Sequence, residues 1–120
     1  AIRNGDQDGN DATERDAGWA PLNSNPMHPE YPSQAAIIAG VCMGVYEAVF
    51  GPNPATPIVA TDVVDPKLQR SFANVRLVSD EVQNVRVWGG IHFRTSLEVG
   101  YKMGRKIADF LVDTSLKPTG

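Results

Sequence analysis

One cysteine, Cys42, is the only thiol in the 120-residue chain, which excludes an internal disulfide and any multi-cysteine metal site. Its neighbours are small and apolar, so it reads as a buried, inert thiol. Histidine is almost as scarce, with only His28 and His92. No Cys/His ligand cluster, Gly-x-Gly-x-x-Gly or Walker-type loop occurs, so neither structural zinc nor a nucleotide cofactor is expected. Positive charge is short too: 11 Lys and Arg face 14 Asp and Glu, a net −3, and no nucleic-acid or membrane-surface partner follows from that balance. The longest apolar run, Ala35 to Phe50, includes Glu47 and is too short to span a bilayer. What is present, 42% apolar and 21% charged residues, is the profile of a soluble globular chain of one domain at most.

Residues 1–32 are polar and without hydrophobic periodicity, and are expected to form an irregular loop. Asp6-Gln7-Asp8-Gly9-Asn10-Asp11 alternates oxygen ligands, but an EF-hand loop needs Gly and Glu where Asp11 and Ala17 stand. A cluster of Asx turns capping its own backbone is the preferred reading. Trp19 and Leu22 are the candidate anchors of this loop. Three prolines keep Pro26 to Pro32 extended. A central helix then runs over residues 33–50, apolar nearly all round, until Gly51-Pro52 ends it. Gly40 and Gly44 make a flat strip on it where another helix can come close. Ile58 to Thr61 is β-branched but too short to found a sheet. Asp65-Pro66 reads as the cap of a second helix over 67–87, with Phe72, Val75, Val78, Val82 and Val85 as its stripe. Gly89-Gly90 breaks it, and a third helix over 95–114 is opened by Thr95 or Ser96. The class is mainly α.

Two places could carry chemistry. Ser33 stands at a helix N-terminus, where free N–H groups and the helix dipole favour an anion. Arg86 and His92 lie either side of the diglycine turn and can converge on one point. Arginine offers a planar fork to oxyanions, and histidine can be a nucleophile to phosphorus or a ligand to a metal oxyanion. On spacing alone, an arginine snorkelling from a helix end beside a hydrogen-bonded loop histidine is the preferred reading of the pair. His28 either enters this site or serves as a surface or packing residue.

The segments Ala1-Ile-Arg-Asn-Gly-Asp6, His28-Pro-Glu-Tyr-Pro-Ser33 and Val85-Arg-Val-Trp-Gly-Gly-Ile-His-Phe-Arg94 resemble the vanadium-dependent haloperoxidases, which share a helical fold and oxyanion site with type 2 phosphatidic acid phosphatases and bacterial acid phosphatases. The resemblance implies the helical-bundle half of a vanadium haloperoxidase/acid phosphatase-like fold with long irregular loops. It also implies vanadate or phosphate as the small-anion ligand. Matched to the family's motifs, Ser33 and Arg86 take oxyanion-binding places, and His92 takes that of the vanadate ligand or phosphorus nucleophile. The departures are equally specific. Gln34 replaces the glycine and Ala35 the acid–base histidine that follow the serine. Val85 replaces the serine before the arginine, and Ser96 the aspartate that orients the histidine. The family's first motif, Lys-x6-Arg-Pro, is absent and is expected just upstream of Ala1 or on a partner.

Loss of the acid–base group removes about 10² to 10⁴ in rate, and loss of the first motif removes most of the electrostatic clamp. Gln34 can donate an amide hydrogen bond to an oxyanion but cannot shuttle protons. Three readings follow: an enzyme completed by another segment or chain, a non-catalytic interaction or assembly subunit, and a fragment of a longer protein. The expectation is a family member with impaired or absent catalysis, whose exposed helix faces are covered by another chain or a copy of itself.

Overall fold

Ser33 caps the first helix as its sequence position predicts, its Oγ accepting from the Ala36 N–H at 3.4 Å. The structure, a computed structural model, describes residues 2–117. Helix α1 spans Gln34–Phe50, β1 Ile58–Thr61, β2 Gln69–Phe72, α2 Val75–Trp88 and α3 Arg94–Thr114, after a 3₁₀ turn over Ile2–Gln7. No helix among the described residues is long and apolar enough to cross a membrane.

The α1–α3 pair is the spine, and glycine makes it. Ala36, Gly40 and Gly44 on α1 face Gly100, Gly104 and Ala108 on α3, all buried and spaced four residues apart on each helix. A Cβ added at Gly40 would stand 2.6 Å from the Tyr101 carbonyl oxygen, and one at Gly100 would stand 2.5 Å from that of Ser33. At Gly104 it would collide with the Ile37 carbonyl oxygen. The expected close approach is thus made within the chain, by α3. Arg105 bridges the pair to Glu47 at 2.6 Å, and that carboxylate holds the guanidinium above its usual pKa.

The same seam corrects two expectations. Because α1 buries only its small residues, its larger ones point elsewhere: Ile38, Val49 and Phe50 are exposed, so the helix is not apolar-packed all round. Cys42 is exposed as well, not buried. The buried apolar set is small (Ala36, Ala39, Phe72, Val75, Leu97 and Ala108), and Leu97 is the largest fully buried side chain among the described residues. The radius of gyration is 17.5 Å, against roughly 13–14 Å for a compact domain of this length. An open shape and a thin core have the same cause: much apolar surface lies on the outside.

The second helix begins later than expected. Residues 69–72 pair antiparallel with 58–61, Ile58 opposite Phe72 and Thr61 opposite Gln69. Local hydrogen bonds decide this. Asp62 Oδ1 accepts from the Val64 and Asp65 N–H groups, both at 2.8 Å, and Asp65 Oδ1 accepts from Lys67 at 3.0 Å. These Asx turns close a hairpin where the Asp-Pro cap was expected. Asn74 is the actual cap of α2, accepting from Leu77 N–H at 3.0 Å. Helix α3 likewise starts after Phe93 without a side-chain cap, so neither Thr95 nor Ser96 performs the expected role.

In the N-terminal loop, Asp8 accepts from the Asn10 N–H at 2.9 Å and the Thr13 hydroxyl at 2.8 Å, and Asn10 accepts from Ala12 at 3.0 Å. That is an Asx-turn cluster. The Thr13 hydroxyl and then the Asn10 amide hold the Asp8 carboxyl below its usual range. A depressed folded pKa contributes stability above the unfolded value, near pH 4, and loses it as pH falls through the folded one. Thr13→Val should therefore raise the Asp8 titration midpoint in an NMR pH series, and an unchanged midpoint would rule the hydroxyl out. Trp19 is half-buried, while the Leu22 side chain is 81% exposed and anchors nothing. It is the Leu22 N–H that ties the loop down, donating to the Gly89 carbonyl at 3.1 Å.

Candidate functional site

Helix α2 ends at Trp88, and the chain folds back on its last turn. The N–H groups of Ile91 and His92 donate to the Arg86 carbonyl at 3.0 and 3.3 Å. Gly90 permits this with φ +71°, and a Cβ there would stand 2.9 Å from the Trp19 ring. Both conformation and space require glycine. The result is convergence: Arg86 Nη2 lies 3.3 Å from His92 Nε2. His92 is 6% exposed, and Arg86 Nε is buried with no hydrogen-bond partner.

On its other edge, His92 Nδ1 lies 3.4 Å from Glu30 Oε1. That is charge-pair distance without hydrogen-bond alignment, so this nitrogen also counts as an unsatisfied buried atom. Glu30 Oε1 accepts from the Phe93 N–H at 2.9 Å. The His28 ring stacks over His92 with centroids 6.0 Å apart and planes at 21°. His28 is both exposed and part of the site, which joins the two roles weighed for it. His28, Glu30 and His92 share one cavity of about 830 Å³ with Trp19, Trp88 and Ile91.

Ser33 is fully buried at the head of α1, its N–H donating to the Ser96 carbonyl at 3.1 Å. Accepting from Ala36 leaves its hydroxyl hydrogen as a donor. Gln34 is exposed and Ala35 half-buried. Among the described residues no hydrogen bond joins Ser33 or Gln34 directly to Arg86 or His92. The route is indirect, through Ser96, whose Oγ donates to the Glu30 carbonyl at 2.5 Å. Glu30 is the site residue that spacing did not reveal. The available signal was an acid inside the Pro-Glu-Tyr-Pro-Ser segment at a place where the third segment has lost one.

The donor set suits an oxyanion held at one histidine rather than a chelated cation. Arg86 presents a half-buried guanidinium whose buried Nε–H is unused, and His92 Nε2 faces its Nη2. Among the described residues no cluster of three His, Cys, Asp or Glu is placed to hold a metal ion.

Sequence and fold place the chain among known proteins. The VCPO second helical-bundle domain matches residues 2–119, and the chain belongs to that family. Bacterial vanadium-dependent enzymes are among the solved structures similar to it. A bacterial vanadium-dependent iodoperoxidase shares 33% identity with a TM-score of 0.70, over 81% of this chain and 23% of that one. The apo and holo forms of a bacterial vanadium-dependent chloroperoxidase share 21% identity with a TM-score of 0.65, again over 81% and 23%, a likeness of fold. The chain thus spans about a quarter of the length of these enzymes. No curated protein sequence matches it.

Proposed function

We propose that this chain carries the histidine side of an oxyanion site of the vanadium haloperoxidase/acid phosphatase type, catalytically impaired and dependent on another segment or chain for completion. The observation that carries the reading is the part-buried Arg86–His92 pair at 3.3 Å, with Arg86 Nε buried and unsatisfied. Such a pair supplies charge-assisted donors and one ring nitrogen to an incoming anion. Ser33 and Gln34 add donors from the head of α1. Vanadate held through His92 Nε2 would supply a Lewis-acidic centre for peroxide-dependent halide oxidation, and phosphate would sit in the same place as a phosphoester.

Ala35 limits the chemistry, because no proton carrier stands in the place of the family's histidine. It also favours the second reading, a non-catalytic subunit that keeps the scaffold and binds an anion weakly. Calorimetric titration with orthovanadate and phosphate, followed by assays of bromide oxidation and p-nitrophenyl phosphate hydrolysis, separates the two. Turnover that His92→Ala abolishes supports the enzyme; anion binding without turnover supports the subunit. Binding of neither anion overturns the oxyanion site itself.

The exposed side chains of Val49, Phe50 and Phe110, together with the thin core, support a covering partner. Gel filtration should show self-association or aggregation of the chain alone. A well-folded dilute monomer would remove the need for a partner.

A further inference from the structure

We propose that Glu30 is the positioning carboxylate of His92, fixing which ring nitrogen carries the proton; the purpose of that positioning rests on the oxyanion reading above. A guanidinium can only donate, so the 3.3 Å contact from Arg86 Nη2 requires a lone pair on His92 Nε2. In the neutral ring the proton is then on Nδ1. Nδ1 is buried and has no hydrogen-bond partner, and the acceptor facing it is Glu30 Oε1 at 3.4 Å. What separates this contact from a hydrogen bond is alignment, which a small rotation of the ring or the carboxylate supplies.

Glu30 is itself held at both ends. Its Oε1 accepts from the Phe93 N–H at 2.9 Å, and its carbonyl accepts from Ser96 Oγ at 2.5 Å. Both tethers come from the residues that follow His92 in the chain, so carboxylate and imidazole are carried by one local frame. The buried Ser96, which caps nothing, thereby has a function: it sets the backbone from which Glu30 reaches the ring. A histidine whose far nitrogen is tied to a carboxylate presents the other as an oriented, more basic lone pair.

The test uses the 120-residue chain with ¹⁵N-labelled histidine, where only two rings need assignment. Long-range ¹H–¹⁵N spectra of the neutral ring should place the His92 proton on Nδ1. Glu30→Ala should move the population toward the Nε2–H form, and Glu30→Gln, which keeps an acceptor oxygen, should restore it. A His92 proton found on Nε2 in the unsubstituted chain overturns the proposal without any variant. So does an unaltered tautomer in folded Glu30→Ala. Orthovanadate affinity of Glu30→Ala should fall about 10- to 100-fold. A chain that never binds orthovanadate refutes the anion site, while the tautomer still decides the role of Glu30.

Discussion

Arg86→Ala is expected to weaken orthovanadate binding about 100-fold in a calorimetric titration. The estimate follows from two charge-assisted hydrogen bonds of about 1.5 kcal/mol each, lost from a site that offers few other cations. Arg86→Lys keeps the charge and loses the fork, so it should fall between the two. Far-UV circular dichroism should be unchanged, because Arg86 Nε holds no structural hydrogen bond and the fold-back is made by the Arg86 carbonyl. Affinity equal to that of the unsubstituted chain would remove Arg86 from the anion site and leave it a helix-end arginine.

Gly104→Ala should cost about 3 kcal/mol of stability, although alanine is the better helix former by about 1 kcal/mol. The added methyl group meets the backbone of Ile37 and Gly40, and backbone cannot turn aside as a side chain can. Gly44→Ala tests the same seam in a milder form. Its obstacle is the Ala108 methyl at 2.5 Å, so Ala108→Gly should recover much of the loss. Urea unfolding of the two single variants and the double variant gives that coupling directly. Full additivity, or a Gly104→Ala chain as stable as the original, would contradict the close helix contact.

Much of this was legible beforehand, for identifiable reasons. The four-residue spacing of Gly40 and Gly44 announced a close helix contact because only backbone can fill so narrow a gap. The diglycine after Trp88 announced the fold-back that joins Arg86 to His92. Other features were hidden because they depend on pairing between segments distant in sequence. The hairpin over 58–72 needed Asp62 and Asp65 to act as turn residues, and the Asp-Pro pair imitates a helix start equally well. Leu22 looked like an anchor by its chemistry, but its N–H is the part that is used. Cys42 looked buried because its neighbours are apolar, whereas the buried seam is the Ala36, Gly40 and Gly44 face, and Cys42, two residues from each glycine, lies on the other side of the helix. Glu30 was invisible as a site residue, since its importance lies in what Ser96 and Phe93 do to it from more than sixty residues away.

The glycine seam also governs how the site keeps its dimensions. Where helices pack through long side chains, rotamer changes absorb a small slide of one rod along the other. Between α1 and α3 the approach is close at each four-residue step, against main chain at Gly40, Gly100 and Gly104 and against the Ala108 methyl at Gly44, so a partial slide has little room. The next arrangement that restores the match lies a whole four-residue step away, about 6 Å. The register is therefore stepped, like the teeth of a ratchet. The segment bearing Glu30 enters α1 at one end, and the segment bearing His92 enters α3 beside it. Their separation of a few ångströms is set by a spine with no intermediate setting.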